Sequence, residues 1–128
     1  MAESEKITIN MNMVDLGQID LLVDEGFYSN RTDFIRTAIR NQLNTHSDSV
    51  KQTIARRTMG VGVVSYDKAI LERYHAAGER VEIKIVGLLH LSNDITPELA
   101  RETISAVQVY GVFRASDAVK QALADRTR

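Results

Sequence analysis

The sequence contains no cysteine, no tryptophan and a single proline among its 128 residues. Without cysteine, the protein forms neither disulfides nor thiolate metal sites, and it has no cysteine nucleophile. No stretch approaches the ~18 consecutive apolar residues that a membrane-spanning helix needs. The polar, acidic start of the chain, from Met1 to Lys6, lacks the basic flank and the apolar core of a secretory signal. We therefore expect a cytoplasmic protein.

An excess of charge of one sign is also lacking, because 16 Lys and Arg residues are balanced by 17 Asp and Glu residues. Residues 1–57 contain 7 basic and 8 acidic side chains, and residues 58–128 contain 9 of each. This balance excludes a strongly polycationic protein, so any binding to nucleic acid would depend on local clusters of cations and on backbone amides. The hydrophobic share of 44% is ordinary for a folded chain, and the length allows one domain or two small ones.

Apolar and polar residues alternate strictly from Lys6 to Met13. Because successive side chains of a strand point to opposite faces, this pattern predicts one half-buried β-strand. Its apolar face consists of Ile7, Ile9, Met11 and Met13. A lone strand cannot cover this face, so the strand needs a partner.

Two helices are predicted after this strand. The first has apolar residues at helical spacing from Leu16 to Val23 and ends at Gly26, a residue typical of a left-handed cap. The second starts at Asn30, an N-cap residue with Asp33 three positions later. Residues 5–44 therefore form a strand-helix-helix unit that is too short for an independent core, and we expect its strand to pair with that of another copy.

The rest of the chain divides into a connector and a repetitive region. Residues 45–57 are polar, with Val50 and Ile54 at helical spacing, and they predict a short helix or an extension of the second helix. We thus divide the chain into domains 1–44 and 58–128, joined by residues 45–57.

Three similar blocks follow one another in the C-terminal domain. Each has a glycine, an apolar run and a serine five residues after the glycine, in residues 60–65, 87–92 and 111–116. Strands alternating with helices predict an α/β domain with parallel strands and helical crossovers. Two arrangements are compatible with this pattern: a solenoid-like stack of three repeats, or a small α/β fold with its strands in mixed order. The predicted helices cover residues 68–77, 97–106 and 118–124, after Asp67, Asp94 and Asp117.

The segments 6–11 and 19–36 closely resemble the ribbon-helix-helix DNA-binding family, the superfamily of CopG, MetJ and Arc. The strand, the turn at Gly26 and the helix start from Asn30 to Asp33 all fall at the spacing of that family. The resemblance implies a swapped homodimer, in which the N-terminal strands of two copies form one antiparallel ribbon that enters the major groove of double-stranded DNA. The dimensions agree, since a two-stranded ribbon fits that groove. Such a protein is associated with the nucleoid when it is bound to DNA.

The resemblance also implies roles for individual residues. The polar face of the ribbon would contact bases: Lys6 can donate to guanine, Asn10 can pair with adenine, and Thr8 can donate, accept or touch a thymine methyl. The alternative is that these three residues are simply the solvated face of a strand. The start of the second helix, with Ser29, Asn30 and Arg31, would contact phosphates, although Asn30 also serves as an ordinary cap. The predicted dimer core consists of Ile7, Ile9, Met11, Leu22, Phe34, Ile35 and Ile39.

These observations favour a transcriptional regulator that represses from a palindromic operator as a homodimer or a higher oligomer. Residues 58–128 would then serve oligomerisation, through the exposed ends of the strand stack, or regulation. Two alternatives are an antitoxin, whose C-terminal half binds a toxin protein, and a self-assembling structural protein in which the ribbon only dimerises.

Enzymatic activity is not expected, since no nucleophile, base or metal-ligand cluster stands out from the sequence. The histidines, His46, His75 and His90, fall in three different segments. We expect neither a cofactor nor a metal centre. The serines of the three blocks, Ser65, Ser92 and Ser116, are interpreted as helix caps.

Overall fold

A computed structural model describes residues 4–128, and the first half of the acidic start, Met1 to Glu3, lies outside the described residues. The chain forms two compact units. Residues 6–55 make up the first unit, and residues 56–128 together with Ser4 and Glu5 make up the second. Among the described residues, none of the helices combines the length and the apolar character that crossing a membrane requires.

The first unit consists mainly of helices α1 (Met13–Asp24) and α2 (Arg31–Thr45). Both predicted helices are confirmed, with the end of α1 and the start of α2 as predicted, whereas α1 begins at Met13, before Leu16. Gly26 has a φ of 88°, and its N–H donates to the carbonyl of Val23 at 3.1 Å, while the next N–H donates to Leu22. This is the left-handed cap that the glycine predicted. At the start of α2, the Asn30 side chain accepts from the N–H of Asp33 at 2.8 Å.

The N-terminal segment differs from the predicted strand. Residues 4–12 have no regular secondary structure in the single chain, and Met13 already belongs to α1. The assignment of Met13 to the strand was therefore wrong, because the Asn12 side chain caps α1 by accepting from Val14 N at 2.8 Å. A β-ladder forms only between two strands. Pairing of residues 6–11 with a second copy stays a prediction.

The connector forms a helix of its own, α3 (Ser47–Arg57), separated from α2 at His46. The helical character of residues 45–57 is thus confirmed, and the alternative of a continuous extension of α2 is not. His46 follows the last residue of α2, and its N–H donates to the carbonyl of Leu43 at 3.1 Å.

The second unit alternates strands and helices as predicted. Strands β1 (Gly60–Tyr66), β2 (Val81–Leu91) and β3 (Ile104–Arg114) form a parallel sheet in the order β1-β2-β3. This sequential order is that of a stack, and it excludes the mixed order. Each strand is followed by a helix, and a short 3-10 turn ends the unit: α4 (Lys68–Ala76), α5 (Pro97–Thr103), α6 (Asp117–Ala122) and Ala124–Arg126.

The alignment of the three glycine blocks needs one correction. The glycines that lie side by side are Gly62, Gly87 and Gly111, so the choice of Gly60 for the first block was wrong. All three have a positive φ, between 125° and 139°. A Cβ atom on Gly87 would lie 2.1 Å from the carbonyl oxygen of Gly62, and one on Gly111 would lie 2.1 Å from that of Gly87. Only glycine fits this row, which we call the glycine row.

Several element boundaries and caps also differ from the prediction. Strand β2 begins six residues before Gly87, and β3 takes over at Ile104, where the predicted helix 97–106 should have continued. Ser116 caps α6, with its Oγ accepting from Val119 N at 3.2 Å. Ser65 and Ser92 were wrongly interpreted as caps, because Asp67 and Thr96 accept the hydrogen bonds at the starts of α4 and α5.

The core of the second unit lies between one face of the sheet and the three helices. Each helix contributes one central residue: Leu71 from α4, Ala100 from α5 and Val119 from α6. Burial of this apolar surface is the main stabilising contribution to the unit. The strands and loops supply Ile83, Ile85, Leu89, Leu91, Ile95, Ile104, Val107 and Leu123.

Candidate nucleic-acid interface

The predicted base-contacting residues, Lys6, Thr8 and Asn10, are all exposed. Within residues 4–128, none of their side chains has a hydrogen bond or an ion pair, so their donors and acceptors face water. The apolar residues between them are exposed as well: Ile7 at 75% and Ile9 at 62%. Large apolar side chains with this exposure point to a surface that a partner covers.

A groove lies beside this segment. It has a volume of about 370 Å³, and its floor includes Ile19, at 5% exposure the one buried residue among residues 6–55. Of the predicted dimer core, Ile35 is half-buried and Ile39 is exposed. Three further members of that predicted core line the groove, Met11, Leu22 and Phe34, together with Asp15 and Gln18.

The start of α2 is organised by Asp33. Its Oδ2 accepts from the N–H of Ser29 at 2.9 Å and from the hydroxyl of Ser29 at 3.2 Å. The donors of Ser29 are therefore engaged by a carboxylate, and Asn30 acts as the cap. The N–H groups of Arg31 and Thr32, at the first two helical positions, have no intrahelical acceptor. They are the donors at this helix end that suit an anion.

Arg31 is held by a residue that the sequence analysis did not single out. Its Nε and Nη2 donate to the two carboxylate oxygens of Asp20 on α1, both at 2.8 Å. The hydrogen bond from Arg31 lowers the pKa of the Asp20 carboxyl, and the same bond raises the pKa of Arg31. This bidentate pair ties α2 to α1 and fixes the direction of the guanidinium. A pairing between residues on two helices has no signal in a single sequence.

An aromatic contact supports the same helix end. The rings of Tyr28 and Phe34 meet edge to face, with centroids 5.0 Å apart and an interplanar angle of 83°. Such pairs contribute beyond their buried area. Tyr28 was also missed as a structural residue of this region, although aromatic residues near a helix start are often packed against that helix.

The comparison with known families decides the assignment. The sequence pattern of the Ribbon-Helix-Helix transcriptional regulator family matches residues 2–120. The chain belongs to this family. No curated protein and no solved structure matches it.

The extent of the match adds to the resemblance of the first 44 residues. The ribbon-helix-helix pattern continues through the three-stranded sheet and into α6. The second unit is thus part of the family pattern and not an unrelated addition to a DNA-binding start. Family membership agrees with the exposed apolar segment and the open groove, since ribbon-helix-helix regulators typically bind DNA and dimerise.

Of the histidines of this ribbon-helix-helix protein, His46 follows α2 in the first unit, and His75 and His90 belong to the second. His75 on α4 pairs with Glu102 at 2.9 Å, and His90 is exposed on β2. In the part of the chain that the structure describes, no three His, Asp or Glu side chains come together in a group that could hold a metal ion.

Proposed function

We propose that this protein is a sequence-specific transcriptional repressor that binds a palindromic operator as a homodimer. Residues 6–11 of two copies form an antiparallel ribbon in the major groove, and bound protein then blocks access to the promoter. A two-fold symmetric dimer matches a palindromic site by its own symmetry.

The observation that carries this proposal is the exposed alternating segment beside an open apolar groove. Ile7 and Ile9 are largely exposed in the single chain, and pairing with another chain would bury them. Met11, Leu22 and Phe34 line the groove that would receive it. The hydrophobic effect therefore favours a dimer that places the opposite, polar face of the ribbon outward.

The outward face has the residue types that read base edges. Lys6 offers a cation to guanine O6 and N7, and Asn10 offers both a donor and an acceptor to adenine. Thr8 between them is small enough for close approach of the ribbon to the bases. With only one cation per copy on this face, selectivity rests on hydrogen bonds and affinity rests mainly on phosphate contacts.

The phosphate contacts come from the start of α2. The N–H groups of Arg31 and Thr32 and the positive end of the helix dipole attract an anion. Asp20 holds the guanidinium of Arg31 in a fixed direction and at the same time offsets part of its charge. Ser29 and Asn30 join the contact if Asp33 releases the donors of Ser29 to a phosphate oxygen.

The base-reading step is tested by selection from random-sequence duplexes at two salt concentrations. We expect the wild type to enrich one palindromic sequence and to bind less at high salt. The variant Lys6→Ala/Thr8→Ala/Asn10→Ala should lose this selectivity while its sedimentation remains that of the wild type. A matched control replaces the same residue types outside the ribbon, Asn44→Ala/Lys51→Ala/Thr53→Ala, and should keep the selectivity. Equal behaviour of the ribbon variant and the wild type would refute the proposal.

The phosphate step gives a different signature. Arg31→Ala should weaken binding to all sequences alike and reduce the slope of log affinity against log salt by about one, without changing the preferred sequence. A change of preferred sequence in Arg31→Ala would contradict a phosphate role. The antitoxin alternative predicts a protease-sensitive C-terminal half, whereas a repressor with the closed core of the second unit should yield a resistant fragment.

A further inference from the structure

The parallel sheet of the second unit is covered by helices on one face only. Its other face has two apolar rows that run across all three strands and contribute nothing to the core beneath the helices. Parallel sheets are normally buried on both faces, so a face that the described residues leave partly exposed is unusual. We call it the open face. Its rows are Val61, Val86 and Tyr110, and Val63, Leu88 and Val112.

The open face is accessible at its β1 edge and at Tyr110 in the single chain, whereas Leu88 at its centre is only 7% exposed. Val61 is 69% exposed, Val63 is 58% exposed and Tyr110 is 48% exposed. A depression of about 460 Å³ runs over Val63, Leu88 and Val112. Ser4 and Glu5 border this depression, yet they leave Val61 and Val63 open to water.

The polar residues at the two ends of the open face are paired within the chain. At one end, Lys84 Nζ lies 3.1 Å from Glu82 Oε1. At the other end, Arg114 Nη2 lies 3.3 Å from Glu5 Oε2. Each pair is neutral as a whole. Apart from the Arg57 guanidinium beside Tyr110, a second copy of the same face therefore meets no unpaired charge among the described residues, and like charges would otherwise oppose its association.

Tyr110 is held in place on this face. Its hydroxyl accepts from Arg57 Nη1 at 2.7 Å and from Gln108 Nε2 at 3.2 Å, and the Arg57 guanidinium lies 5.8 Å from the ring centroid. A tyrosine whose hydroxyl is satisfied within its own chain presents its ring without losing a hydrogen bond on association. Tyrosines of this kind are enriched at the centres of interfaces.

We propose that the open face is an interface between two copies of this chain, which pack sheet against sheet about a two-fold axis. The inference rests on the ribbon dimer proposed above, because that dimer keeps a second copy of the face at high effective concentration. A two-fold axis brings the same patch of both copies together, which suits a patch that is apolar at its centre and neutral at both ends. The edge of β3 is less suitable, since Arg128 N already donates to the carbonyl of Val107 there.

The absence of cysteine from the sequence allows a direct test on the full chain. In Val63→Cys, the single thiol should react with a maleimide at least about tenfold more slowly than in Ala69→Cys, because reaction waits until the interface opens. Ala69 is an exposed residue of α4 in the same unit and provides the matched control. Adding Val61→Lys to Val63→Cys should restore fast reaction, whereas adding Ala76→Lys should not. Equal rates for the two cysteine variants would overturn the proposal and leave the face for a different partner.

A second measurement identifies what covers the face. Adding Ile9→Asp removes the apolar contact of the proposed ribbon and should make the protection of Val63→Cys depend on protein concentration. Protection that is equal at every concentration would show a cover from the same chain and would also overturn the proposal. Failure of the ribbon dimer is recognised separately, because Ile9→Asp would then leave the sedimentation of the otherwise unchanged protein the same.

Discussion

The two units of this protein differ in what a single chain can bury. In the second unit, residues from three strands and three helices form a closed core with Leu71, Leu89 and Ile104 fully inaccessible. In the first unit, Ile19 is the one buried residue between positions 6 and 55, and α2 has none. The second unit has the means to fold alone. The first unit has two capped helices but little buried surface, which is compatible with the swapped dimer proposed above.

The difference also separates two kinds of information in the sequence. Helix ends and caps are local, and they form in both units whether or not a core is complete. The closed core depends on contacts between distant parts of one chain, and the ribbon depends on contacts between chains. The first unit, residues 6–55, buries little surface on its own, so under the proposed dimer its stability should depend on protein concentration.

The largest expected effect comes from dilution. At concentrations where sedimentation finds single chains, the amides of α1 and α2 should lose nearly all protection from hydrogen exchange, whereas those of β2 should keep theirs. The measurement is exchange monitored by mass spectrometry at two protein concentrations. Protection of α1 and α2 in single chains would show that the first unit folds alone, and the contrast between the units would then fail.

The next largest effect concerns the glycine row of the second unit. Gly87→Ala places a methyl group 2.1 Å from the Gly62 carbonyl oxygen at a φ of 139°, and it should reduce the free energy of unfolding by at least about 3 kcal/mol. Gly62→Ala has nothing within 4 Å of the new methyl group, although φ is 128°. Its free energy of unfolding should fall only by the cost of this backbone strain, about 1–3 kcal/mol.

Urea unfolding followed by circular dichroism would compare the two variants. The informative result is which variant loses more stability, and we expect this to be Gly87→Ala. Equal losses of unfolding free energy would mean that glycine is required for a reason other than the close approach of β1 to β2. Hydrogen exchange of α1 in Gly87→Ala provides the internal control, because the first unit has no part in the glycine row.

Much of the fold could be predicted from the sequence because its signals are local. Gly26 and Asn30 predicted the end of α1 and the start of α2, and the repeated blocks predicted parallel strands. The register of β1 could not be predicted, because Gly60 and Gly62 have the same parity in the strand and only pairing with Gly87 distinguishes them. The early start of β2 did have a signal, the alternation of Glu82 and Lys84 with Ile83 and Ile85.

The candidate site was predictable to a smaller extent. Lys6, Thr8 and Asn10 follow from alternation and from the family resemblance, and their exposure agrees with both. The contacts that orient the proposed phosphate-binding end do not follow, because Asp20 and Arg31 lie on different helices and meet only when α1 and α2 pack. The open face of the sheet was also hidden, since its residues are recognised only once the helices are known to cover the other face.

A smaller effect contrasts two glycines in open space. Gly17 lies in the interior of α1 with nothing within 4 Å of an added Cβ, so Gly17→Ala should stabilise the protein by up to ~1 kcal/mol. Gly78 has the same open space but a φ of 69°, so Gly78→Ala should destabilise it by about 1 kcal/mol. Thermal unfolding at one fixed concentration measures both. A loss for Gly17→Ala would show that a second chain packs closely on that side of α1.

The smallest expected effect is the change in the folding stability of each unit with pH. Arg31 lowers the pKa of Asp20 in the first unit, and Arg126 and then Arg101 lower the pKa of Asp125 in the second. A carboxyl with a lowered pKa in the folded state stabilises that state above its unfolded pKa of about 3.9, and this contribution disappears as the pH falls through the lowered value. Asp20→Asn and Asp125→Asn should therefore be less stable than the wild type at pH 7 and approach it in acid.

Because both carboxylates are exposed, we expect modest differences that added salt reduces. The informative result is which unit responds. Exchange protection should fall in α1 and α2 for Asp20→Asn and around α6 for Asp125→Asn, whereas Asp48→Asn, an aspartate of α3 without an ion pair among residues 4–128, should change neither. A loss of exchange protection at α6 in Asp20→Asn would mean that the two units are energetically coupled. The proposed contrast, in which the second unit folds alone and the first needs another chain, would then need revision.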